Sequence, residues 1–547
     1  MRLGFAQMNP LVGDISGNTD KIIDFIEKAR ERHVNILVFP ELCITGYPTQ
    51  DLIFISGFVQ QNLDALNRIK RHVEEISVII GHVEPYKDME NKFYNSATII
   101  TDGKIIGKVR KQLLPNYDVF DELRYFVGGM PTGPIEIHGK QVGVIICEDL
   151  WDEGYRRKVI PDLVSKGAEI LISINASPYY KEKWKVREDE VRKKVNAHHV
   201  PFVYVNMVGG QDDITFDGTS FVMDGDGRLV FRAPPFMEGL HECQIPGTRH
   251  GFKSIPVQEI HEMSLLEEEI FKALCLNLRD YYNKIGVFNG ILIGLSGGID
   301  SAFTTVVAVK AIGADRVRCI YMPTRFNASE SGESSRKLCE NLGCEFITFP
   351  IEDIFNQYRD DFSHAMEDNT FTVADENLQA RIRANILMYY SNKYNLLLVS
   401  TGNKSEISTG YCTLYGDTCG GKNIPGDLFK TELIKICNLH INKEREIIPR
   451  FIIERPPSAE LRENQKDEDS LPPYHVLDKI LEPMIEDFKS PADIVAMGFD
   501  EKLVEKVQYL VKVAEFKRAQ LVQTIKITPK AFGIGRRMPI TNGYRYT

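Results

Sequence analysis

No two cysteines in this chain stand in a Cys-x-x-Cys pair. The ten present are scattered from Cys43 to Cys437, so neither a zinc ribbon nor a redox dithiol is expected. Cys339/Cys344 and Cys412/Cys419 lie closest together, and the ligand-spacing rules weigh against a metal at either pair. Long apolar runs are missing as well. None approaches the ~18 residues of a membrane span, and MRLGFAQMNP at the start lacks the long apolar core of a signal peptide. These absences lead to the expectation of a reduced, cytoplasmic protein with no membrane partner. Basic excess is also lacking: the formal charge is −10, which disfavours a nucleic-acid partner. Local basic runs such as VRKK (191–194) read as solvated helix faces. No internal repeat at a fixed short period is found.

The rest of the composition is that of a globular protein, 43% hydrophobic and 26% charged over 547 residues. That length exceeds one ordinary core and implies two or more domains. Residues 1–243 are rich in short apolar runs: LGFAQM, NILVFPE, SVIIGHVE, SATIIT, QVGVIICED, EILISINAS and PFVYVNMV. They read as buried strands. Residues 19–33 put Ile22, Ile23, Phe25, Ile26 and Ala29 on one helical face, with Asn18 or Thr19 as N-cap. FVMDGDGRLVFRA reads as a hairpin around an Asp-Gly turn. A layered α/β fold with two packed sheets fits.

Residues 244–262, QIPGTRHGFKSIPVQEIHE, break the pattern and are expected to be a linker. In 263–547 strands alternate with helices: ILIGL, VRCIYM, CEFITF and NLLLVS are the strands. This is the pattern of a doubly wound parallel sheet, which binds ligands at the carboxyl ends of its strands. The polar, proline-rich stretch 455–475 reads as a functional loop or lid outside the core.

One loop carries most of the chemical information. GLSGGIDSA (294–302) lies between an apolar run and a helix-like run, the setting in which backbone N–H groups cradle phosphate. Gly297 and Gly298 allow close backbone approach to an anion, and Ser296 and Ser301 supply hydroxyls. The lysine of a Walker loop is absent. Asp300 would repel phosphate unless a cation intervened, which implies Mg²⁺ with Asp300 as an oxygen ligand.

SGGIDS resembles the pyrophosphate-binding loop of the ATP pyrophosphatases, whose domain is an adenine nucleotide α-hydrolase-like parallel sheet. The resemblance implies ATP as co-substrate, bound by Gly294, Leu295, Ser296, Gly297, Gly298, Ile299, Asp300 and Ser301, and transfer of AMP to a substrate oxygen. ENLQARIRANILM (376–388), STGNKSEISTGYCTLYGD (400–417) and EFKRAQ (515–520) are similar to the NAD synthetases within that group. By that resemblance Thr401 contacts ATP and Glu406 is a second Mg²⁺ ligand beside Asp300. Asn377, Arg381, Arg383, Glu406 and Lys517 would serve deamido-NAD or its phosphates. One departure stands out. The short, ammonia-only synthetases carry a lysine where TLYGD has Leu414, so the dinucleotide contacts must be partly rearranged.

The first half has a constellation of its own. FPELCITGYP, VRKQLLPNYDVFDE and VGVIICED place Glu41, Lys111 and Cys147 each just past an apolar run. Three strand ends can converge at one sheet edge. Together and in this order they resemble the Glu-Lys-Cys triad of the nitrilase, or carbon–nitrogen hydrolase, family, which implies an α-β-β-α sandwich. A thiolate at Cys147 would attack an amide, Glu41 would shuttle the proton, and Lys111 would stabilise the oxyanion and help lower the thiol pKa. An amidase fused to an adenylating ligase is most simply a nitrogen supply, so the amide is glutamine. Resemblance to the glutaminase halves of glutamine-dependent NAD synthetases assigns Tyr117, Ser177 and Lys183 to that glutamine, and Glu148 is a further candidate for its α-amino group. The family also implies a sheltered route for ammonia and homo-oligomers. Competing readings are another glutamine-fed amide ligase of the ATP pyrophosphatase group, a tRNA-modifying enzyme, and a nucleotide-binding regulator with dead sites. The intact residue sets argue against the last.

Overall fold

The computed structural model describes residues 1–246 and 255–544. The chain divides into two compact units, Met1–Ser264 and Leu265–Thr547. Of the expected linker, residues 247–254 lie outside the described residues. Gln244 ends a strand, and Ile255 is buried. Gln258 N donates to Val230 O at 2.8 Å and His261 N to Arg232 O at 3.1 Å. The described part of this stretch therefore belongs to the first unit.

The first unit begins with strands β1 (Arg2–Gln7), β2 (Ile36–Val38), β3 (Ser77–Pro85), β4 (Phe93–Thr101) and β5 (Lys104–Arg110). Then come β6 (Ile135–Ile137), β7 (Lys140–Ile146), β8 (Ile170–Asn175), β9 (Phe202–Asn206), β10 (Val208–Gln211) and β11 (Ile214–Asp217). It closes with β12 (Phe221–Met223), β13 (Leu229–Arg232) and β14 (Gly239–Gln244). Two six-stranded sheets result, in the orders β14-β1-β2-β3-β4-β5 and β13-β12-β9-β8-β7-β6. Leu3, Phe5, Val38 and Ile79 from one sheet pack on Val144, Ile146, Ile172 and Val203 from the other.

The outer face of the first sheet is covered by α1 (Ile15–Glu31) and α2 (Phe58–Lys70), which bring Ile22, Ile26, Leu66 and Ile69 onto Leu37, Val78 and Ile80. The second is covered by α3 (Val159–Ser165) and α4 (Lys183–His198), through Leu163, Val191 and Val195. The unit is thus an α-β-β-α sandwich. Its central strands are apolar on both faces because both faces are covered, which is why they read as continuous runs. The α1 cap differs from expectation. Asp14 caps the helix, accepting from Gly17 N at 2.9 Å. Asn18 is buried one turn in, where its side-chain amide donates to Leu11 O and Ile44 O. A carboxylate four residues upstream took the role that the apolar periodicity gave to Asn18 or Thr19.

The second unit opens with α5 (Leu266–Ile285) and carries a five-stranded sheet: β15 (Gly290–Gly294), β16 (Val317–Tyr321), β17 (Glu345–Thr348), β18 (Leu396–Ser400) and β19 (Lys422–Asn423). Its order is β17-β16-β15-β18-β19, with every pairing parallel. The connections contain α6 (Ile299–Ile312), α7 (Ser329–Leu342), α8 (Glu352–Met366), α9 (Val373–Tyr394) and α10 (Lys404–Thr409). The order reverses between β15 and β18, so the loops after these strands leave in opposite directions and open a crevice, the usual ligand site of such sheets.

The 455–475 stretch contains one short 3-10 turn, Asp467–Asp469, and at its end the start of the helix Tyr474–Glu486. It is nonetheless pinned. Glu460 accepts from Ser331 Oγ at 3.0 Å and from Arg455 at 2.8 Å, and Leu471 and Tyr474 are buried. Among the described residues, no helix is long and apolar enough to cross a membrane.

Candidate active sites

In the first unit β2, β5 and β7 deliver Glu41, Lys111 and Cys147 to one buried place. The Lys111 ammonium lies 2.7 Å from Glu41 Oε1 and 2.7 Å from Glu122 Oε1, and all three side chains are buried. Glu41 is fixed on both oxygens: Asn95 Nδ2 donates to Oε1 at 2.7 Å, and Ala176 N donates to Oε2 at 2.9 Å. Cys147 follows β7 with φ of +44°, a conformation that is costly for a residue with a Cβ and that marks functional turns. Asp149 braces this turn, accepting from Ile146 N, Gln112 N and Leu113 N. It thereby ties the Cys147 turn to the segment carrying Lys111.

Burial pushes the Cys147 thiol well above its ordinary pKa, and Glu41 pushes the same way; Lys111 pulls it down. The lowering expected from Lys111 is present but outweighed, so the resting group is a thiol and needs a base. Burial works against the charge of Lys111, yet Glu122 and Glu41 hold its pKa well above the usual lysine value. Burial lifts Glu122 to about 7, with Lys111 opposing and Glu41 adding to the rise. The arrangement can take a proton from a nucleophile beside a cation that stays charged.

The residues assigned to glutamine gather around the same point. Tyr117 and Tyr155 donate to the Glu148 carboxylate at 3.0 and 2.9 Å. The Lys183 ammonium lies 4.4 Å from the centre of the Trp151 ring, within cation–π range. Burial, helped by Arg187, lowers its pKa to about 8, while Cys147 and Glu148 pull it upward. Ser177 is held from both sides: its N–H donates to Asn206 Oδ1 at 2.9 Å, and its hydroxyl accepts from Arg187 Nε at 3.1 Å. Sequence reasoning missed Glu122, Asn95 and the Arg187–Asp217 pair. Glu122 sits in the LPNYDVFDE stretch, but nothing there separates it from Asp118 or Asp121 as a buried group.

In the second unit the loop after β15 turns at Gly297, φ +84°, where an added Cβ would meet Ser331 Cβ at 2.7 Å. The Ser296 and Ser301 hydroxyls are 3.1 Å apart, and Gly298 N donates to Ser296 Oγ. Asp300, in the first turn of α6, and Glu406, in α10 after β18, meet across the switch point. Lys430, in the first turn of α11 (Lys430–Ile436), forms a short ion pair with Asp300 and lies 3.6 Å from Glu406. Asn403 donates to Asp300 Oδ1 at 2.9 Å. Burial raises Glu406 to about 8, and the nearby Asp300 charge adds to it. Asn403 and Lys430 were not found from the sequence.

The other assigned residues lie around this crevice with less convergence. Thr401 follows β18 directly. Asn377 on α9 accepts from the Thr413 hydroxyl at 2.7 Å. Exposed Arg381 donates to the carbonyl of Leu414 at 3.2 Å. Arg383 donates to Met322 O at 3.0 Å, and among the described residues it pairs with no carboxylate; burial lowers its pKa to about 10. Lys517 donates to the carbonyls of Gly410 and Cys412 at 2.8 and 2.7 Å, closing the segment after α10.

Comparison with known proteins gives the two halves the same order. The carbon-nitrogen hydrolase family matches residues 2–249, and the NAD synthase family matches residues 270–521. The glutamine-dependent NAD(+) synthetase of Aquifex aeolicus (strain VF5) is 40% identical over 573 residues, covering 100% of both chains. That of Thermotoga maritima is 38% identical over 577 residues, covering 100% of this chain and 99% of the relative. The solved structure of the Acinetobacter baumannii glutamine-dependent NAD+ synthetase, in complex with adenosine diphosphate, superposes with a TM-score of 0.79 at 37% identity. It covers 100% of this chain and 99% of that one. Full-length similarity at this level, over both units, makes this chain a member of the glutamine-dependent NAD(+) synthetase family.

Proposed function

We propose that the protein converts deamido-NAD to NAD⁺ with ATP and with ammonia that it releases from glutamine. The observation that carries the reading is the presence in one chain of two such centres: Glu41, Lys111 and Cys147 buried together, and Asp300 and Glu406 facing each other at the switch point of a parallel sheet.

At the first centre, glutamine's α-carboxylate lies toward Lys183 and its α-amino group toward Glu148. Glu41 takes the Cys147 proton as sulfur attacks the amide carbon. The oxyanion forms beside the Lys111 ammonium. Glu41 returns the proton to departing ammonia and then activates the water that cleaves the thioester. Glu122 keeps Lys111 charged and in place.

At the second centre the nicotinate carboxylate of deamido-NAD attacks the α-phosphorus of ATP. Pyrophosphate leaves into the Ser296–Ser301 loop, where backbone N–H groups and hydroxyls receive it. Ammonia then displaces AMP from the acyl adenylate. Two partly buried carboxylates already converge on a cation, the Lys430 ammonium, and hard oxygen donors of this kind suit Mg²⁺. Asp300 and Glu406 would hold that ion, which supplies charge neutralisation to the phosphates when bound. Asn377, Arg381, Arg383 and Lys517 serve the dinucleotide and its phosphates, with Thr401 on ATP.

Two further features belong to the reading. The ten free cysteines fit a reducing, cytoplasmic setting. The exposed aromatic face of α8 and α9, with Tyr358, Phe362, Tyr389 and Tyr394, supports pairing of second units into homo-oligomers.

The test is to mix the protein with Mg-ATP, deamido-NAD and glutamine and to follow NAD⁺, AMP and glutamate. All three in equal amounts are expected. Glutamate without AMP would reject deamido-NAD as the acceptor and leave another carboxylate in its place.

A further inference from the structure

The ligand-spacing rules see Cys339 and Cys344 as a pair five residues apart and dismiss it. The fold adds a third sulfur. Cys319 lies in the interior of β16, where it pairs in register with Phe346 of β17. Cys339 is in the last turn of α7, the helix that crosses from β16 to β17. Gly343, with φ of +75°, ends that helix, and Cys344 N donates back to Cys339 O at 3.1 Å. This turn folds Cys344 under the helix end. The three Sγ atoms all lie within 4.8 Å of one another. Cys319 and Cys339 are buried, and Cys344 is partly open.

We propose that Cys319, Cys339 and Cys344 form a three-thiolate zinc site. Zinc–thiolate bonds of about 2.3 Å put sulfurs about 3.8 Å apart on the edges of a tetrahedron, so the three thiols need to close by at most about 1 Å. α6 supplies one polar neighbour. Thr305 Oγ1 donates its proton to Ser301 O at 2.8 Å and lies 3.8 Å from Cys319 Sγ, so a lone pair, not the hydroxyl proton, is turned to that sulfur. That oxygen or a water completes the set. Binding displaces the three thiol protons to solvent and moves no electrons. Three thiolates about a dication leave one negative charge, and Arg336, one turn before Cys339 on α7, offsets it. Soft sulfur ligands select such an ion over Mg²⁺.

The site has a structural consequence. Cys339 and Cys344 lie at the end of α7 opposite Ser331, the residue that packs on Gly297 and meets Arg455 and Glu460. A metal there would clamp α7 to β16 and so steady the wall of the nucleotide loop.

The experiment uses the full chain, reduced and stripped with a chelator, in the Cys147→Ala background so that the reactive thiol cannot contribute. Cobalt(II) is titrated in without nucleotide, and zinc is then added. One equivalent of cobalt is expected to give the intense thiolate-to-cobalt absorption and the visible band of a tetrahedral ion, both bleached by one equivalent of zinc. Oxygen ligands at Asp300 and Glu406 give no sulfur band. Cys339→Ser should abolish it and weaken zinc retention by at least about 100-fold, while Cys419→Ser should leave it unchanged. Should Cys339→Ser fail to fold, the unsubstituted chain decides: one equivalent of zinc should slow alkylation of Cys344, read by mass spectrometry, at least about tenfold. Absence of the sulfur band, its survival in Cys339→Ser, or alkylation of Cys344 indifferent to zinc would each overturn the site.

Discussion

Lys183, the proposed partner of glutamine's carboxylate, pairs a gain in binding with a cost in stability. Its pKa of about 8, lowered chiefly by burial, lies below that of a lysine in the unfolded chain. The folded state therefore binds a proton less readily, and the group opposes folding at neutral pH; this penalty fades as pH rises from about 8 through the ordinary lysine range. Binding has the opposite dependence, because glutamine's carboxylate is attracted only by the charged form. KM for glutamine should be flat below about pH 8 and should rise about tenfold per unit above it. Lys183→Met should raise KM about 10–100-fold at pH 7, the scale of a charge-assisted hydrogen bond, and should remove that inflection. It should also raise the Tm of the first unit, by about 2–4 °C for each kcal/mol relieved. Steady-state kinetics across pH and thermal melts check both; an unchanged KM would remove Lys183 from the glutamine site.

At the scale of elements, two junctions set the sites. In the first unit, Arg187 on α4 is fully buried with its Nη1 2.7 Å from both oxygens of Asp217 at the end of β11. Its other nitrogens bind Ser177 and Pro178. Asp217→Asn would strand that charge and should cost about 3–5 kcal/mol, seen as a lower urea midpoint, with glutaminase activity falling as the Ser177 loop loosens. In the second unit, Gly297→Ala forces a Cβ into Ser331 on a left-handed backbone. NAD⁺ formation should drop about 100-fold or more, while glutamate release persists.

These junctions also mark what was legible in the sequence. The strands were, because parallel strands covered on both faces must be apolar throughout. Glu41, Lys111, Cys147 and Asp300 were, because each stands just past such a run or inside a glycine loop. Glu122, Asn403, Lys430 and the third cysteine were not. Glu122 and Lys430 reach their sites by turns, and Cys319 meets the other two cysteines across the α7 crossover, whose landing point no local period records; Asn403 stands three residues past β18 with nothing to set it apart from its polar neighbours. The Asn18 cap failed for a smaller reason: Asp14, one turn upstream, is an equally good acceptor and lies outside the apolar stripe.

For the molecule as a whole, the decisive question is how ammonia made at one centre reaches the other. Cys147→Ala removes the proposed nucleophile and leaves the second unit's loop, carboxylates and Lys430 untouched. It should lose synthesis driven by glutamine entirely and keep synthesis driven by ammonium salts. Only neutral ammonia attacks the acyl adenylate, so the rate of this variant at fixed total ammonium should climb about tenfold per pH unit through neutrality. The unsubstituted protein, fed glutamine, should not show that climb if the nitrogen stays neutral from release to attack, because bulk protonation then never intervenes. The same protein given ¹⁵N-amide glutamine in a large excess of unlabelled ammonium at pH 7 should make mostly ¹⁵N-labelled NAD⁺. A label diluted to the composition of the bulk pool would mean that the two centres share solvent ammonia and that their fusion serves supply alone. Loss of both glutamine-driven and ammonium-driven synthesis in Cys147→Ala would reject the separation of the centres.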